Sequence, residues 1–271
     1  MSAPIHTREL VVQFPGGVRA LDGVTLDVAS SDLMVVLGPS GAGKSTLLRC
    51  LNRLSTPTSG GVYHRGDDVT FATGKALRRL RQSVGMIFQQ FNLINRMSVF
   101  HNVLSGRLSL TGHAPSWVAS HARFFSSADR DIAMDAMRTV GIADLADQRA
   151  DTLSGGQQQR VAIARVLTQR PDVILADEPI ASLDPRSART VLETLREIHE
   201  VRSIPIILNL HQVDLASRYA SRVVGMNAGR IVFDDTPDAL DEAGIRIIYG
   251  ESSPPASEAA SRKEPSTPCG V

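Results

Sequence analysis

Residues 38–46 have the composition of a loop that binds phosphate groups. The stretch reads Gly38-Pro39-Ser40-Gly41-Ala42-Gly43-Lys44-Ser45-Thr46. Its glycines allow successive backbone N–H groups to point at phosphate oxygens, and a helix that begins there adds the positive end of its dipole. In such a loop the Lys44 ammonium reaches the β- and γ-phosphates, and the Ser45 hydroxyl is a ligand for Mg²⁺. The competing interpretation is a glycine-rich turn with no ligand.

Two adjacent carboxylates follow an apolar run further along the chain. Val173-Ile174-Leu175-Ala176 predicts a buried strand, and Asp177-Glu178 comes directly after it. Carboxylates at the end of a buried strand are unfavourable unless they face a metal or a positive ligand. We predict that Asp177 holds Mg²⁺, directly or through water, and that Glu178 polarises an attacking water. A solvated acidic turn is the alternative.

A histidine and a glutamine end two other apolar runs. His211 follows residues 204–210, and Gln89 follows residues 84–88. In an open α/β sheet, ligands are usually bound at the carboxyl ends of the strands. We predict that His211 contacts a γ-phosphate. For Gln89, contact with a ligand and simple solvation both remain open.

A second glycine-rich segment opens directly into a helical pattern. Leu153-Ser154-Gly155-Gly156-Gln157 precedes the apolar periodicity of residues 161–167. A hydroxyl and glycines at a helix N-terminus form a second potential anion site. As an isolated pattern this signal is weak, because serine is a common N-cap and two glycines often form a flexible turn.

The elements around these residues are typical of an α/β protein. Residues 33–37 form an apolar strand before the phosphate loop, and leucines recur at helical spacing after it. Alternating apolar residues over 10–28, broken by Pro15-Gly16-Gly17, predict an antiparallel hairpin. Phe14 ends the first strand of that hairpin. Periodicity favours a place for Phe14 in the core, and stacking on a planar base is the alternative.

The remaining pattern is helical between residues 91 and 152, and more mixed elsewhere. Short strands are expected over 61–71, a basic helix over 75–81, a helix over 187–199, a hairpin around 227–229 and a short helix over about 237–242. The stretch 109–127 is hard to interpret. From residue 251 onward, Ser, Pro, Ala and Glu dominate, and we expect this tail to be disordered.

Composition limits the classes of partner. Lys and Arg total 29 against 28 for Asp and Glu, a net charge of +1, so we expect no nucleic-acid partner. No apolar stretch approaches the roughly 18–20 residues that span a bilayer, and the N-terminus lacks a signal-peptide core. We expect a cytoplasmic protein that reaches a membrane only through a partner. Cys50 and Cys269 have no spacing typical of a metal site or a disulfide.

In this order, the motifs resemble those of the nucleotide-binding subunit of ABC transporters, over about residues 5–250. The resemblance implies an α/β fold, that of an ABC-type P-loop NTPase with an N-terminal antiparallel β subdomain. It implies one domain over 1–250 with a helical subdomain inserted at about 91–152, followed by the tail 251–271. ATP and Mg²⁺ are the implied cofactors, and ATP hydrolysis is the implied reaction.

The resemblance also implies individual roles, and it reverses the preference for Phe14. Phe14 would stack on adenine, and residues 38–46 would be the Walker A loop with Lys44 and Ser45. Gln89 would sense Mg²⁺ and the membrane partner, and the signature would be Leu153, Ser154, Gly155, Gly156 and Gln157. Asp177 would be the Walker B carboxylate, Glu178 the catalytic base, Asp184 part of the loop that crosses the dimer, and His211 the switch histidine.

Partners follow from the same resemblance. Two copies would stack head to tail, so that ATP at Lys44 of one copy is completed by Ser154 and Gly156 of the other. An integral membrane permease would bind near Gln89, and a periplasmic or extracellular solute-binding protein would take part indirectly. The protein would then lie on the cytoplasmic side of the inner membrane, held there by the permease.

Several short sequence motifs resemble those of the phosphonate importer branch. They include Phe88-Gln89-Gln90-Phe91-Asn92-Leu93-Ile94 and Asn209-Leu210-His211-Gln212-Val213-Asp214. Importers of phosphite, phosphate, phosphate esters or polar amino acids remain alternatives for the solute. A soluble ABC ATPase is an alternative from another functional class, although such proteins usually carry two such domains or a long coiled-coil insertion. A module that binds ATP without hydrolysing it is disfavoured by the presence of both Glu178 and His211.

Overall fold

The computed structural model describes residues 4–108 and 125–250, and two β-sheets contain its named strands. Predictions that fall on residues 109–124 and 251–271, including the tail and Cys269, lie outside the described residues. The strands are β1 (Ile5–Gln13), β2 (Arg19–Val28), β3 (Leu33–Leu37), β4 (Ser59–His64), β5 (Asp67–Asp68), β6 (Val84–Ile87), β7 (Val173–Asp177), β8 (Ile206–Asn209), β9 (Arg222–Asn227) and β10 (Arg230–Asp235).

Eight α-helices lie in the described part of the chain. They are α1 (Lys44–Leu51), α2 (Gly74–Ser83), α3 (Val99–Leu104), α4 (Ser127–Thr139), α5 (Gly155–Leu167), α6 (Pro185–Arg202), α7 (Val213–Tyr219) and α8 (Glu242–Tyr249). Short 3-10 turns occupy Ser105–Arg107, Ala143–Leu145, Ala150–Thr152 and Pro237–Ala239.

The larger sheet has the strand order β10-β9-β3-β8-β7-β6, and only β10 runs antiparallel to its neighbour. Its central strands are buried on both faces, which is why they are continuous apolar runs instead of alternating ones. The smaller sheet, β2-β1-β4-β5, is antiparallel and begins with the predicted hairpin. The expected α/β fold with an N-terminal antiparallel β portion is confirmed.

The central strands divide their side chains between two cores, because successive residues of a strand point to opposite faces. In β8, Ile206 and Leu208 belong to the core on the side of α5 and α6. Ile207 belongs to the opposite core, together with Leu47 and Leu48 of α1 and the antiparallel sheet. By the same alternation, the last residues of β7 and β8 face α1, which places polar side chains there beside the phosphate loop.

The region between β6 and α5 is helical in its described part. Val103 of α3 and Met137 of α4 pack into the core beneath the parallel sheet. Helix α4 begins with a capping box between Ser126 and Asp129, and the chain turns after it at Gly141, whose φ is +66°. The boundaries of a helical subdomain at about 91–152 stay a prediction.

The C-terminal helix differs from the expected pattern. In place of a helix over about 237–242, a 3-10 turn is followed by α8, which begins after Asp241. The Asp241 side chain accepts a hydrogen bond from the Gly244 N–H at 2.8 Å and thereby caps the helix. Over residues 4–108 and 125–250, the structure contains no helix with the length and apolar character needed to cross a bilayer.

Candidate active site

The phosphate loop connects β3 to α1, and its glycines lie where no side chain fits. A Cβ atom on Gly38 would stand 2.2 Å from the carbonyl oxygen of Met226, and one on Gly43 would stand 2.3 Å from that of Ala20. Both glycines also have positive φ, at +150° and +101°. The loop is therefore held against β9 and β2 by backbone packing that only glycine allows.

Lys44 begins α1 and is buried by the loop. Its ammonium donates hydrogen bonds to the carbonyl oxygens of Gly38 at 2.7 Å and Pro39 at 3.0 Å. Burial lowers the pKa of Lys44, whereas the nearby carboxylates of Glu178 and Asp177 oppose that shift. The amine thus lies close both to the backbone of the loop and to the acidic residues Asp177, which ends β7, and Glu178, which follows it.

Ser45 and Asp177 are brought into direct contact, as the sequence predicts for a shared cation. The Ser45 hydroxyl donates to Asp177 Oδ1 at 2.6 Å, and Arg49 approaches the other carboxylate oxygen at 3.6 Å. Asn209 also belongs to this cluster: its Nδ2 donates to Asp177 Oδ1 at 2.8 Å and to Ser45 Oγ at 3.2 Å. Asn209 was missed as a site residue from the sequence, although an asparagine among apolar residues at a strand end is a recognisable signal.

These residues fit a magnesium ion. The cluster offers oxygen atoms from a hydroxyl and a carboxylate, which are the ligands that Mg²⁺ prefers. One more oxygen in the cluster, Oδ1 of the buried Asn209, has no hydrogen-bond partner among the described residues. Those residues contain no group of three or more His, Cys, Asp and Glu arranged to hold a metal. A site with few protein ligands matches Mg²⁺ that is shared with nucleotide phosphates.

Glu178 and His211 form a second pair at the same edge of the sheet. Glu178 has φ of +51°, a left-handed conformation that is uncommon for glutamate. Its N–H donates to the carbonyl oxygen of Asn209 at 3.2 Å. His211 Nε2 lies 2.7 Å from Glu178 Oε1, so the histidine holds the carboxylate at the end of β7.

A cavity of about 370 Å³ joins these groups. It is lined by the phosphate loop, by Glu178 and His211, and at its outer end by Phe14, Val18 and Arg19. Phe14 is 44% exposed, so the prediction from periodicity that it fills the core is wrong. Phe14 instead follows the last residue of β1, at the start of the turn to β2, and lines the cavity together with the phosphate loop.

The signature residues do not reach the phosphate loop of their own chain. Ser154, Gly156 and Gln157 line a different cavity of about 230 Å³, together with residues of α6. Ser154 caps α5: its hydroxyl accepts from the N–H of Gln157 at 3.3 Å, and its N–H donates to Gln157 Oε1 at 2.9 Å. A Cβ atom on Gly156 would lie 2.7 Å from Ser187, so α5 and α6 touch at this glycine.

Asp184 and Gln89 also lie away from the first cavity. Asp184 caps α6 by accepting from the N–H groups of Arg186 and Ser187, both at 3.0 Å. Hydrogen bonds from Ser187 and then Arg186 lower the pKa of Asp184. Gln89 is exposed, two residues beyond the edge strand β6, and the roles predicted for it and for Asp184 stay predictions.

Comparison with known proteins gives consistent matches. A family model described as ABC transporter matches residues 21–181. The phosphonates import ATP-binding protein PhnC of Thiobacillus denitrificans is 53% identical over 249 residues, which cover 92% of this chain and 93% of that protein. The protein of the same name from Bordetella parapertussis is 45% identical over 257 residues, covering 93% of this chain and 99% of that protein.

Solved structures agree with these matches. The cbiO1 protein of Clostridium perfringens, part of the ABC transporter complex cbiONQ, is 29% identical, with a TM-score of 0.78, and the match covers 90% of this chain and 93% of that one. The dimeric ATP-binding cassette MJ0796, in a post-hydrolysis state with ADP and Pi, is 28% identical, with a TM-score of 0.73, covering 86% of this chain and 98% of that one.

Proposed function

Because the chain belongs to the ABC transporter family, we propose that it is the ATP-hydrolysing subunit of an importer for phosphonates or a related phosphorus oxyanion. Its relatives in Thiobacillus and Bordetella carry the name of phosphonate import ATP-binding proteins and match nearly their whole length. The sequence motifs around Gln89 and His211, which resemble those of the phosphonate importer branch, support the same solute class. The domain spans residues 1–250, with residues 91–152 as its inserted helical subdomain.

One observation carries the catalytic part of this proposal. The carboxyl ends of β3, β8 and β7 are adjacent in the sheet, and they deliver the phosphate loop, His211 and Glu178 to one cavity. Lys44 and Ser45 line that cavity together with Glu178, and Asp177 lies against Ser45. A triphosphate bound by the loop therefore has its terminal phosphate directed toward Glu178.

Hydrolysis then follows from the positions of these side chains. Glu178 accepts a proton from a water molecule whose oxygen bonds to the γ-phosphorus, while the bond to the bridging oxygen of ADP breaks. His211, which holds Glu178 Oε1 at 2.7 Å, orients the carboxylate for that step. Lys44 stabilises the charge on the β- and γ-phosphates, and Phe14 supports the base at the outer end of the cavity.

Magnesium binding belongs to Ser45 and Asp177 in this proposal, with Gln89 as a further contact in the assembled transporter. When bound, Mg²⁺ neutralises charge on the β- and γ-phosphate oxygens during phosphoryl transfer. The 2.6 Å contact between the Ser45 hydroxyl and the Asp177 carboxylate supports this assignment, because it brings two oxygen ligands to the phosphate side of α1.

The complete site requires a second copy of the chain. Ser154, Gly155, Gly156 and Gln157 lie at a helix N-terminus away from the phosphate loop of their own chain. In a head-to-tail dimer they close the nucleotide held by the loop of the partner, and Asp184 lies near that contact. A membrane permease binds the dimer on the cytoplasmic side of the inner membrane, and a solute-binding protein delivers the phosphonate from outside.

Uptake of a radiolabelled alkylphosphonate tests the solute assignment. Cells that depend on this chain should accumulate the label, and cells carrying Glu178→Gln in its place should not. Competition with unlabelled phosphite, phosphate and a polar amino acid separates the alternatives. If the cells accumulate no labelled alkylphosphonate but do accumulate a labelled polar amino acid, the solute class is wrong although the ATPase assignment stands.

A further inference from the structure

Asn209 is a polar residue at a position that the pattern of its strand reserves for an apolar side chain. It ends β8 after Ile206, Ile207 and Leu208, and it is completely buried. A buried amide is unfavourable unless its hydrogen bonds are made. The side-chain amide of Asn209 is therefore expected to form hydrogen bonds with other groups of the site.

The sheet places Asn209 beside Asp177. The two residues are partners in the parallel ladder between β7 and β8, and both side chains face α1. Asn209 Nδ2 donates to Asp177 Oδ1 at 2.8 Å and to Ser45 Oγ at 3.2 Å. One amide nitrogen therefore connects the two residues proposed to bind magnesium.

We propose that Asn209 is a positioning residue that orients Asp177 and Ser45 toward the cation of the bound nucleotide, an inference that rests on the proposed function. The Ser45 oxygen donates its proton to Asp177 at 2.6 Å and accepts from Asn209, which leaves one lone pair for a cation. The neutral amide adds no positive charge beside Asp177, whereas a lysine or arginine at this position would compete with the cation.

The main chain of Asn209 adds a link to the second catalytic pair. Its carbonyl oxygen accepts from the N–H of Glu178 at 3.2 Å, and His211 follows two residues later. Asn209 thus holds Ser45 and Asp177 through its side chain, and it holds the turn at Glu178 through its backbone. Only the side-chain contribution is removed by substitution, so the two effects are separable by experiment.

The test compares ATP affinity with and without Mg²⁺ in the full-length chain. Asn209→Leu has a similar size but lacks the amide donors, and Asn209→Thr restores one hydroxyl donor. Metal-free ATP binding, measured by calorimetry in EDTA, should change by no more than about twofold in either variant, because Asn209 does not line the nucleotide cavity.

The affinity of the ATP-bound protein for the cation is the decisive measurement, with Mn²⁺ titrated as a spectroscopic probe by electron paramagnetic resonance. Asn209→Leu should weaken Mn²⁺ binding by about 10- to 100-fold, the usual effect of losing a residue that orients a metal ligand, and Asn209→Thr should recover part of the loss. Thr168→Val removes a fully buried hydroxyl that donates to Val103 and to no residue of the site, so it should leave Mn²⁺ affinity unchanged.

Equal Mn²⁺ affinity in wild type and a folded Asn209→Leu would overturn the proposal. If the leucine variant does not fold, Asn209→Ala decides the question because it also lacks the amide donors, and unchanged Mn²⁺ affinity together with a lowered melting temperature indicates a purely structural role. A wild-type protein that binds no ATP under either condition contradicts the proposed function instead, so the two failures are distinguishable.

Discussion

Lys44 is the residue whose substitution separates ligand binding from folding. Its ammonium is buried against two carbonyl oxygens, and burial lowers its pKa. Because a lowered lysine pKa means that folding disfavours the charged form, Lys44→Ala should not reduce the melting temperature of the nucleotide-free protein. ATP affinity, measured by calorimetry, should fall by about 10- to 100-fold with the loss of charge-assisted bonds to phosphate.

Lys75→Ala is the matched control for that experiment. Lys75 is exposed near the start of α2 and does not line the nucleotide cavity. Its removal deletes the same charge without touching the loop, so ATP affinity should stay at the wild-type value. An unchanged affinity in Lys44→Ala would mean that the loop does not hold a triphosphate through this amine.

Glu178 is predicted to contribute to the chemical step and not to nucleotide binding. Glu178→Gln keeps the size of the side chain and removes the base, so steady-state ATP hydrolysis should fall by at least about 100-fold. ATP should still bind, and light scattering after gel filtration should detect an ATP-dependent dimer. Glu197→Gln, an exposed glutamate of α6, makes the same chemical change elsewhere and should hydrolyse ATP normally. Hydrolysis at the wild-type rate in Glu178→Gln would remove the assigned role.

At the scale of elements, helix α5 depends on Ser154 for its first turn, and the same residue is proposed to contact a nucleotide across the dimer. Aspartate caps helices as well as serine does, so Ser154→Asp should leave the free energy of unfolding within about 0.5 kcal/mol of wild type. A carboxylate facing a γ-phosphate is repulsive, and hydrolysis should fall by at least about tenfold. Urea unfolding and an ATPase assay measure the two effects.

Ser98→Asp provides the control at another helix start. Ser98 caps α3 by accepting from the N–H of His101, and no phosphate contact is proposed there. This variant should retain both stability and hydrolysis. If Ser154→Asp also hydrolyses ATP normally, the signature serine acts only as a helix cap.

The elements show which parts of the site are predictable from sequence. Strand β3, the phosphate loop and α1 were predictable, because an apolar run, a glycine pattern and helical leucines agree with one another. Phe14 was misplaced, because alternation predicts which face of a strand a residue occupies but not where the strand ends. Helix α8 was missed, because its apolar run Ile245-Arg246-Ile247-Ile248-Tyr249 fits a strand equally well and only Asp241 marks its start.

The role of Asn209 could be recognised only from the order of the strands in the sheet, which the sequence did not reveal. Residues 177 and 209 are more than thirty positions apart in the chain, and they become neighbours only because β7 pairs with β8. Propensities and motifs describe local segments, whereas this contact depends on strand pairing between distant segments. Ser45 and Asp177 were assigned to one cation from the chemistry of their side chains. Their hydrogen bond also joins distant segments of the chain, so it was visible only in the fold.

At the scale of the whole molecule, the proposed nucleotide site is divided between two separate cavities of the chain. The first includes Lys44, Glu178 and His211, and the second includes Ser154 and Gln157 beside α6. A chain that served both halves of one site would bring the two cavities together, and this fold keeps them apart. The proposed head-to-tail dimer forms two complete sites from four such halves.

Mixing two inactive variants tests that arrangement. In a heterodimer of Lys44→Ala with Ser154→Asp, a head-to-tail assembly combines both defects in one site and leaves the other site intact. With random pairing, half of the dimers are mixed and have one of two sites intact, so hydrolysis should recover to about a quarter of the wild-type rate if sites act independently. The same mixture built on Glu178→Gln should retain about one ATP per mixed dimer, which makes the result independent of cooperativity between sites. If each nucleotide were bound by Lys44 and Ser154 of the same chain, neither hydrolysis nor ATP retention would exceed that of the separate variants, since every site would keep one defect.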